Sequence, residues 1–443
     1  MVSDGINKNN EISVSHSKNS HSFEGRVTYF KGEECRCANF EQLSFNKTKY
    51  YSLDKKYWIE SFGDFRGKEV IRLRVLLGEQ KSDYFSLYND ISIKVPKGYK
   101  VINGINKFDK STGNTSLIIS VGKLGNIVKD YAENMRSNSR GVFVKIIDEG
   151  TSRSEIKSII NDFYQKERIS NVILVGNDKV IPTYSVETKF DSQTPSDLYY
   201  GTMSGEGDYI PDVFISRLSV SSTKDLEVAL NKLKSLSRGI KINNVMGISS
   251  NEGANPSDYE YMRKMLQPFE QSKGAASLYL DQNQQNSNKN VFNLQLENGV
   301  DWINYIGHGS GFSWSSFNLE YFINDLEGVS RQKTMPVIID VACQNGRFSG
   351  EGRIGESFIS GGTENRNIGA AIYYGGSVDI SWHPPAVMAV GISEFISNNE
   401  DTTISEAVMQ GHFYLMNSSA SKEDIIDNFE WYHLQGDPGI RIL

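Results

Sequence analysis

Cysteine is scarce in this chain: three residues in 443. Cys35 and Cys37 are separated by one residue, too close to bridge comfortably, and Cys343 stands alone, so no disulfide framework holds the fold. Long apolar runs are missing too. No stretch approaches the roughly 20 apolar residues needed to cross a bilayer. Residues 1–24 are polar and lack the apolar segment of a signal peptide, so none is expected there. Excess positive charge is absent: 47 Lys and Arg stand against 54 Asp and Glu, a formal net charge of −7. That balance gives no electrostatic footprint for nucleic acid or an anionic membrane. The six histidines follow no metal-ligand spacing, and there is no Cys/His cluster for zinc.

What is present is enough apolar and aromatic side chain, 38% and 11% of residues, for sizeable cores in two or three domains. Residues 1–24 read as a disordered tail. Residues 25–110 carry period-two stretches, Val70–Leu76 and Asp90–Val95, which predict a small β-rich N-terminal domain. A polar linker follows over 97–114. From residue 115 the pattern alternates between apolar strands and amphipathic helices. Strands are expected at Ser116–Gly122, Gly141–Ile147 and Asn171–Gly176, with helices at Lys123–Arg136, Arg153–Lys166 and Lys224–Leu236. This predicts an α/β subdomain over 115–240 and a second βα series over 241–443, with mainly parallel sheets flanked by helices.

Two strands of the second series end in reactive side chains. Val300–Gly307 runs into His308-Gly309-Ser310-Gly311, and Met335–Ala342 runs into Cys343-Gln344-Asn345-Gly346. In parallel sheets ligands and catalytic groups collect beyond the carboxyl ends of strands. Adjacent strands of this kind bring an imidazole and a thiol together, the minimum for cysteine nucleophilic catalysis. A thiol is mostly protonated at neutral pH and needs a base, which His308 supplies. The backbone N–H groups of Gly309 and Cys343 are candidates for an oxyanion hole. A phosphate-binding reading of the glycine-rich 307–311 loop is disfavoured, because it lacks the P-loop Lys and no clear helix follows.

The segments Tyr305-Ile306-Gly307-His308-Gly309-Ser310 and Asp340-Val341-Ala342-Cys343-Gln344-Asn345-Gly346 resemble the gingipain family of cysteine peptidases, family C25, in the clan of caspases and legumain. The resemblance extends to Val172–Pro182, to Ser196–Gly201 with Val213–Leu218, to Ser381–Pro385 and to Gly436-Asp437-Pro438, covering about residues 115–443. It implies a caspase-like fold in two subdomains. It makes His308 the general base, Cys343 the nucleophile and Glu252 the acid that orients the imidazole. Trp382 and Val341 would line the pocket for the P1 side chain, the residue before the scissile bond. Asp258 would pair with a P1 arginine. Ile306 is a departure, since a small polar group is expected at that place in the pocket, and the loop between Glu252 and Asp258 is shorter than in the arginine-specific members. Asp258 also reads as a helix N-cap.

The implied activity is an endopeptidase acting on protein or peptide substrates after a basic residue, Arg before Lys. No cofactor is needed for the chemistry, and structural calcium is common in the family, with no ligands assignable here. Secretion or cell-surface display is the family's habit, while the absent signal peptide keeps a cytoplasmic location open. The N-terminal region stands where the family has an inhibitory prodomain; its linker holds Lys97, Lys100, Lys107 and Lys110 but no Arg, so strict Arg specificity would forbid self-cleavage there. The competing readings are a non-catalytic or secretion-associated scaffold, a transpeptidase using the same acyl-enzyme, and an N-terminal binding module.

Overall fold

The computed structural model describes residues 57–75 and 114–443, apart from 254, 286, 319, 351 and 364, together with the backbone of short strands between residues 2 and 100. Cys35, Cys37 and most of the 97–114 linker lie outside the described residues. Within residues 1–24, expected to be a tail, Val2–Ser3, Ser13–His16 and Ser20–Glu24 are strands instead. They pair antiparallel with Glu69–Val75, Ile91–Lys94 and Tyr84–Tyr88.

One ten-stranded sheet organises the rest. Its strands, in chain order, are β1 (Thr115–Val121), β2 (Gly141–Ile147), β3 (Asn171–Val175), β4 (Phe214–Leu218), β5 (Asn244–Ser249), β6 (Ala276–Asp281), β7 (Trp302–Ile306), β8 (Val337–Val341), β9 (Ile372–Gly376) and β10 (Tyr432–Gln435). Their spatial order is β2-β1-β3-β4-β10-β9-β8-β7-β5-β6. Strands β1 to β4 pair parallel with one another, and so do β5 to β9. β10 comes from the end of the chain and is inserted between the two sets, antiparallel to β9. Most central strands are buried on both faces and read as continuous apolar runs, as parallel strands covered by helices should.

The helices are α1 (Gly125–Ser137), α2 (Arg153–Glu167), α3 (Thr223–Ser235), α4 (Asp258–Lys273), α5 (Lys289–Asn298), α6 (Ile354–Ser360), α7 (His383–Asn398), α8 (Ile404–Met416) and α9 (Lys422–Trp431). Among the described residues none is long and apolar enough to cross a membrane. α4 lies directly on β5. A Cβ at Gly247 would stand 2.4 Å from Met262 Sδ and 2.7 Å from Leu266 Cδ1, so only glycine permits this approach. Gly247 pairs with Asn304, and Asn304 with Ile339, which puts all three on the α4 face. By the two-residue alternation of strands, Ile306 and Val341 share that face. Tyr305 and Asp340 point to the opposite face, where Trp314, Tyr373 and Phe358 form an aromatic layer.

Charged locks hold the two sets together. Asp437, just beyond β10, is fully buried and accepts hydrogen bonds from Arg140 Nη2 at 2.8 Å and Tyr131 Oη at 2.6 Å. Burial alone would raise its carboxyl; the Arg140 guanidinium outweighs this and holds it below the usual range. The hairpin at residues 57–75 docks by its turn: the Asp64 and Arg66 amides donate to Asp208 and Asp212, and Arg72 donates to the Ala420 carbonyl at 2.8 Å.

Candidate active site

Three neighbouring strands, β5, β7 and β8, end at one edge of the sheet and carry Glu252, His308 and Cys343. Register brings His308 and Cys343 to the same level. Ile306 pairs with Val341, and each reactive residue follows two positions later. Strands lie about 4.8 Å apart, so two side chains in step across that gap are neighbours. Gly307 N–H still donates to the Val341 carbonyl at 3.2 Å, which carries the pairing into the loops. A Cβ on Gly309 would meet the Cys343 carbonyl at 2.4 Å and Asn345 Nδ2 at 2.8 Å. Glycine at 309 is therefore the condition for the two loops to touch.

His308 Nε2 stands 3.0 Å from Glu252 Oε2, while Nδ1 is buried and has no hydrogen-bond partner in the protein. With the carboxylate on Nε2 the proton sits there, and Nδ1 keeps its lone pair. The ring is a fifth exposed and Glu252 is half exposed. Trp382 meets the imidazole edge-on at a centroid distance of 5.6 Å. The His308 main chain is pinned: its N–H donates to Ser316 Oγ at 2.9 Å, and its carbonyl accepts from Tyr305 Oη at 2.6 Å. Tyr305 stacks on Trp314 and is buried, which pushes its hydroxyl far above the ordinary range and keeps it a donor.

Cys343 is buried. Ile380 N–H donates to its Sγ at 3.3 Å. The next residue, Gln344, has φ of 60°, a left-handed conformation uncommon outside glycine and asparagine. It is held there by its own N–H to the Val378 carbonyl at 3.0 Å and by Nε2 to Asp379 Oδ1 at 2.8 Å. Such a bend ends the strand sharply at the thiol. Asn345 then ties the two loops: Oδ1 accepts from Gly311 N–H at 3.0 Å and Nδ2 donates to the buried Asp340 at 3.1 Å. Asp340 also accepts from Trp314 Nε1 at 2.7 Å and from the Tyr373 hydroxyl.

Glu252 is placed by the loop after β5. Its N–H donates to Ser250 Oγ at 3.1 Å, Ser250 Oγ donates to Asp258 Oδ2 at 2.7 Å, and Asp258 N–H donates to the Glu252 carbonyl at 3.1 Å. Asp258 is fully buried at the first residue of α4. It is not the N-cap considered from sequence. Ser257 is, with Glu260 closing a capping box. Gly253 lies against Trp382, where a Cβ would be 2.8 Å from Nε1. Asp258 and Trp382, on α4 and at the start of α7, thus lie on the sheet face that carries Ile306 and Val341. All four are buried. Among the described residues no group of three or more His, Cys, Asp and Glu could hold a metal ion.

Sequence reading did not find Tyr305, Ser316, Asp340, Asn345 and Gln344 as supports of the site. Asp340 and Asn345 lay inside the motif that flagged Cys343, but nothing in spacing alone separates a supporting Asn from a loop Asn.

The profile of Peptidase family C25 matches residues 109–443. Among curated proteins, gingipain R2 of Porphyromonas gingivalis is 23% identical over 382 residues, covering 82% of this chain and 50% of the relative. Lys-gingipain W83 of the same organism is 24% identical over 262 residues, covering 55% of this chain and 14% of the relative. The chain thus spans half or less of the length of these relatives. Among solved structures, the Arg-specific cysteine proteinase gingipain R aligns with a TM-score of 0.67 at 21% identity, over 77% of this chain and 80% of that one. The complex of the RgpB pro- and mature domains of Porphyromonas gingivalis aligns with a TM-score of 0.64 at 20% identity, over 74% and 79%. With the profile matched across three quarters of its length and a gingipain-like sheet beneath the Glu252, His308 and Cys343 loops, this chain belongs to peptidase family C25.

Proposed function

We propose that the chain is a cysteine endopeptidase that cleaves after a basic residue, Arg ahead of Lys. The observation that carries the reading is the state of His308: one ring nitrogen on Glu252, the other buried and unpartnered, in register with Cys343. In this reading Nδ1 takes the thiol proton, and the Cys343 thiolate attacks the scissile carbonyl. A C–S bond forms and the carbonyl electron pair moves to oxygen, where the Gly309 and Cys343 N–H groups receive it. The oxyanion collapses, the C–N bond breaks, and the imidazolium gives its proton to the leaving amine. Water, deprotonated by His308, then hydrolyses the thioester.

Asp258 supports the basic preference. It is a buried carboxylate on the sheet face shared with Ile306, Val341 and Trp382, and a guanidinium pairing with it would be charge-assisted and desolvated. Ser250 already occupies Asp258 Oδ2, so the arrangement offers an incoming cation fewer lone pairs than a bare carboxylate. The test is hydrolysis of fluorogenic peptides with P1 Arg, Lys, Asn, Asp or Leu by the wild type, Cys343→Ala and Asp258→Asn. Cleavage restricted to Arg and Lys, abolished by Cys343→Ala and relaxed by Asp258→Asn, supports the proposal. Undiminished turnover by Cys343→Ala overturns it. Product masses distinguish hydrolysis from transfer to an added amine, and a scaffold gives no products at all.

A further inference from the structure

The loop between β9 and α7, residues Ser377 to Trp382, reaches the thiol from a further side. It is fastened at its start, where Ser377 N–H donates to the Trp431 carbonyl at 2.8 Å and Ser377 Oγ to the Pro195 carbonyl at 3.1 Å. The next three residues are bonded in succession to Gln344 and Cys343. The Val378 carbonyl accepts from Gln344 N–H at 3.0 Å, and Asp379 Oδ1 accepts from Gln344 Nε2 at 2.8 Å. Ile380 N–H then donates to Cys343 Sγ at 3.3 Å. Gln344 thus grips two consecutive residues, one with its main chain and one with its side chain, and the amide that follows them meets the sulfur. The turn is packed closely enough to need glycine behind it: a Cβ at Gly376 would stand 2.9 Å from Ile380 Cγ2.

The grip has a conformational cost, since Gln344 holds a φ of 60° without being glycine or asparagine. Strain of this kind persists where surrounding bonds impose it, and it points to the group alongside. That group is a sulfur. A main-chain N–H is a weak partner for a thiol and a strong one for a thiolate, so it favours the charged form, and it neither titrates nor reorients. His308 does not take this place at rest, because its Nδ1 is buried without a hydrogen-bond partner. The titratable groups on the strands and loops that meet here are Glu252, His308, Asp340 and Asp379, with Asp258 on α4. A carboxylate at 379 by itself disfavours a neighbouring thiolate. Its use beside Cys343 is therefore as the anchor for Gln344 Nε2.

We propose that Gln344 and Asp379 are positioning residues that hold the Ile380 N–H on the Cys343 sulfur and so stabilise its thiolate. The proposal rests on the peptidase reading above and deepens it: the nucleophile is prepared by a fixed main-chain donor as well as by the His308 base. Thiolate, not thiol, attacks, so the clamp sets how much nucleophile is present at neutral pH.

The test is the pH dependence of Cys343 alkylation by iodoacetamide in the full chain, with the adduct quantified by peptide mass spectrometry so that Cys35 and Cys37 are counted apart. Gln344→Gly removes the side chain, and glycine accepts the left-handed φ without strain. Asp379→Ala removes the anchor independently. Each is expected to move the alkylation midpoint up by about one pH unit, the effect of losing one hydrogen bond to a charged group. Asp379→Asn, whose Oδ1 still accepts from Gln344, keeps the midpoint of the wild type. The same upward shift is expected in a His308→Ala background, where no imidazole shares the proton. In parallel, kcat/KM on a P1 Arg peptide should fall about tenfold at neutral pH and recover at alkaline pH, which a merely structural role would not produce. An unmoved midpoint in Gln344→Gly and Asp379→Ala overturns the proposal, as does an activity loss equal at every pH or an Asp379→Asn as damaging as Asp379→Ala. If the wild type cleaves no peptide, the peptidase reading falls, while alkylation still decides whether the clamp stabilises the thiolate.

Discussion

The two halves of the sheet end differently at their carboxyl edges. Beyond β3 and β4 the buried cation is spent within the protein. Arg217, on β4, is fully buried and makes four hydrogen bonds: two to the Asp197 carboxylate at 2.7 and 2.9 Å, and two to the Gly176 and Ile181 carbonyls at 2.9 Å each. Its guanidinium also covers Phe348, 4.9 Å from the ring centroid. Beyond β5, β7 and β8 the same architecture leaves the His308 Nδ1 unpartnered, bends Gln344 into a left-handed conformation and opens Glu252 to solvent. One edge pairs its buried charge; the other keeps a lone pair and a bend in reserve. Stability and the proposed chemistry thus draw on different halves of one sheet, and substitutions should separate them.

The sharpest separation comes from Cys343→Ala. Peptide hydrolysis is expected to fall by more than about 10⁴-fold, with a melting temperature within a few degrees of wild type, because the substitution removes the proposed nucleophile from a site no ladder depends on. Arg217→Ala should do the reverse. It strands Asp197 as an uncompensated buried charge and is expected to cost about 3–5 kcal/mol in denaturant unfolding, while the activity per folded molecule is retained. Equal losses of both properties in either variant would break the contrast.

Acidification tests the closed regions further. His412 and His433 are fully buried, and burial lowers them to about 3 and about 4. A histidine held neutral in the fold binds fewer protons than in the unfolded chain between those values and its ordinary value near 6.5. Stability is therefore complete above that pH and is lost progressively as pH falls towards 3. The loss should reach a few kcal/mol, and His412→Gln should flatten the lower part of the curve.

Smaller effects sharpen the picture of the open edge. Gly309→Ala forces a Cβ against the Cys343 carbonyl and Asn345, and kcat/KM is expected to fall about a hundredfold as the two loops part. Glu252→Gln preserves a hydrogen-bond acceptor for Nε2 but removes the charge. Its site is half exposed, so only about tenfold in kcat is expected, with the alkaline side of the pH–rate profile intact. A Glu252 variant indistinguishable from wild type would remove it from the catalytic group.

Much of this arrangement was legible in the sequence because parallel strands advertise themselves. Val337–Val341 and Trp302–Ile306 are apolar on both faces, and the first polar residues after each mark the edge where chemistry collects. The helix expected over Arg153–Lys166 occupies Arg153–Glu167, with a Ser152 capping box at its start. What escaped was context-dependent. β10, Tyr-His-Leu-Gln, alternates over only four residues, too few to stand out; β4 and β9 on either side supply its ladders. α6 is seven residues long and too short to show a period. β9 begins only at Ile372, because Gly369 turns the chain at a φ of 96° and the Ala370 N–H is spent on the Phe358 carbonyl. At the candidate site, strand ends alone single out Cys343 and His308, a family likeness adds Glu252, and nothing in the sequence points to the Asn345–Asp340 hydrogen bond.

The most direct measurement is covalent labelling with an electrophilic peptide bearing P1 Arg, followed by mass spectrometry of the adduct. The account predicts one adduct, on Cys343, forming fast in the wild type and slowly in His308→Ala. An adduct elsewhere, or labelling of Cys343 that is indifferent to His308, would contradict it.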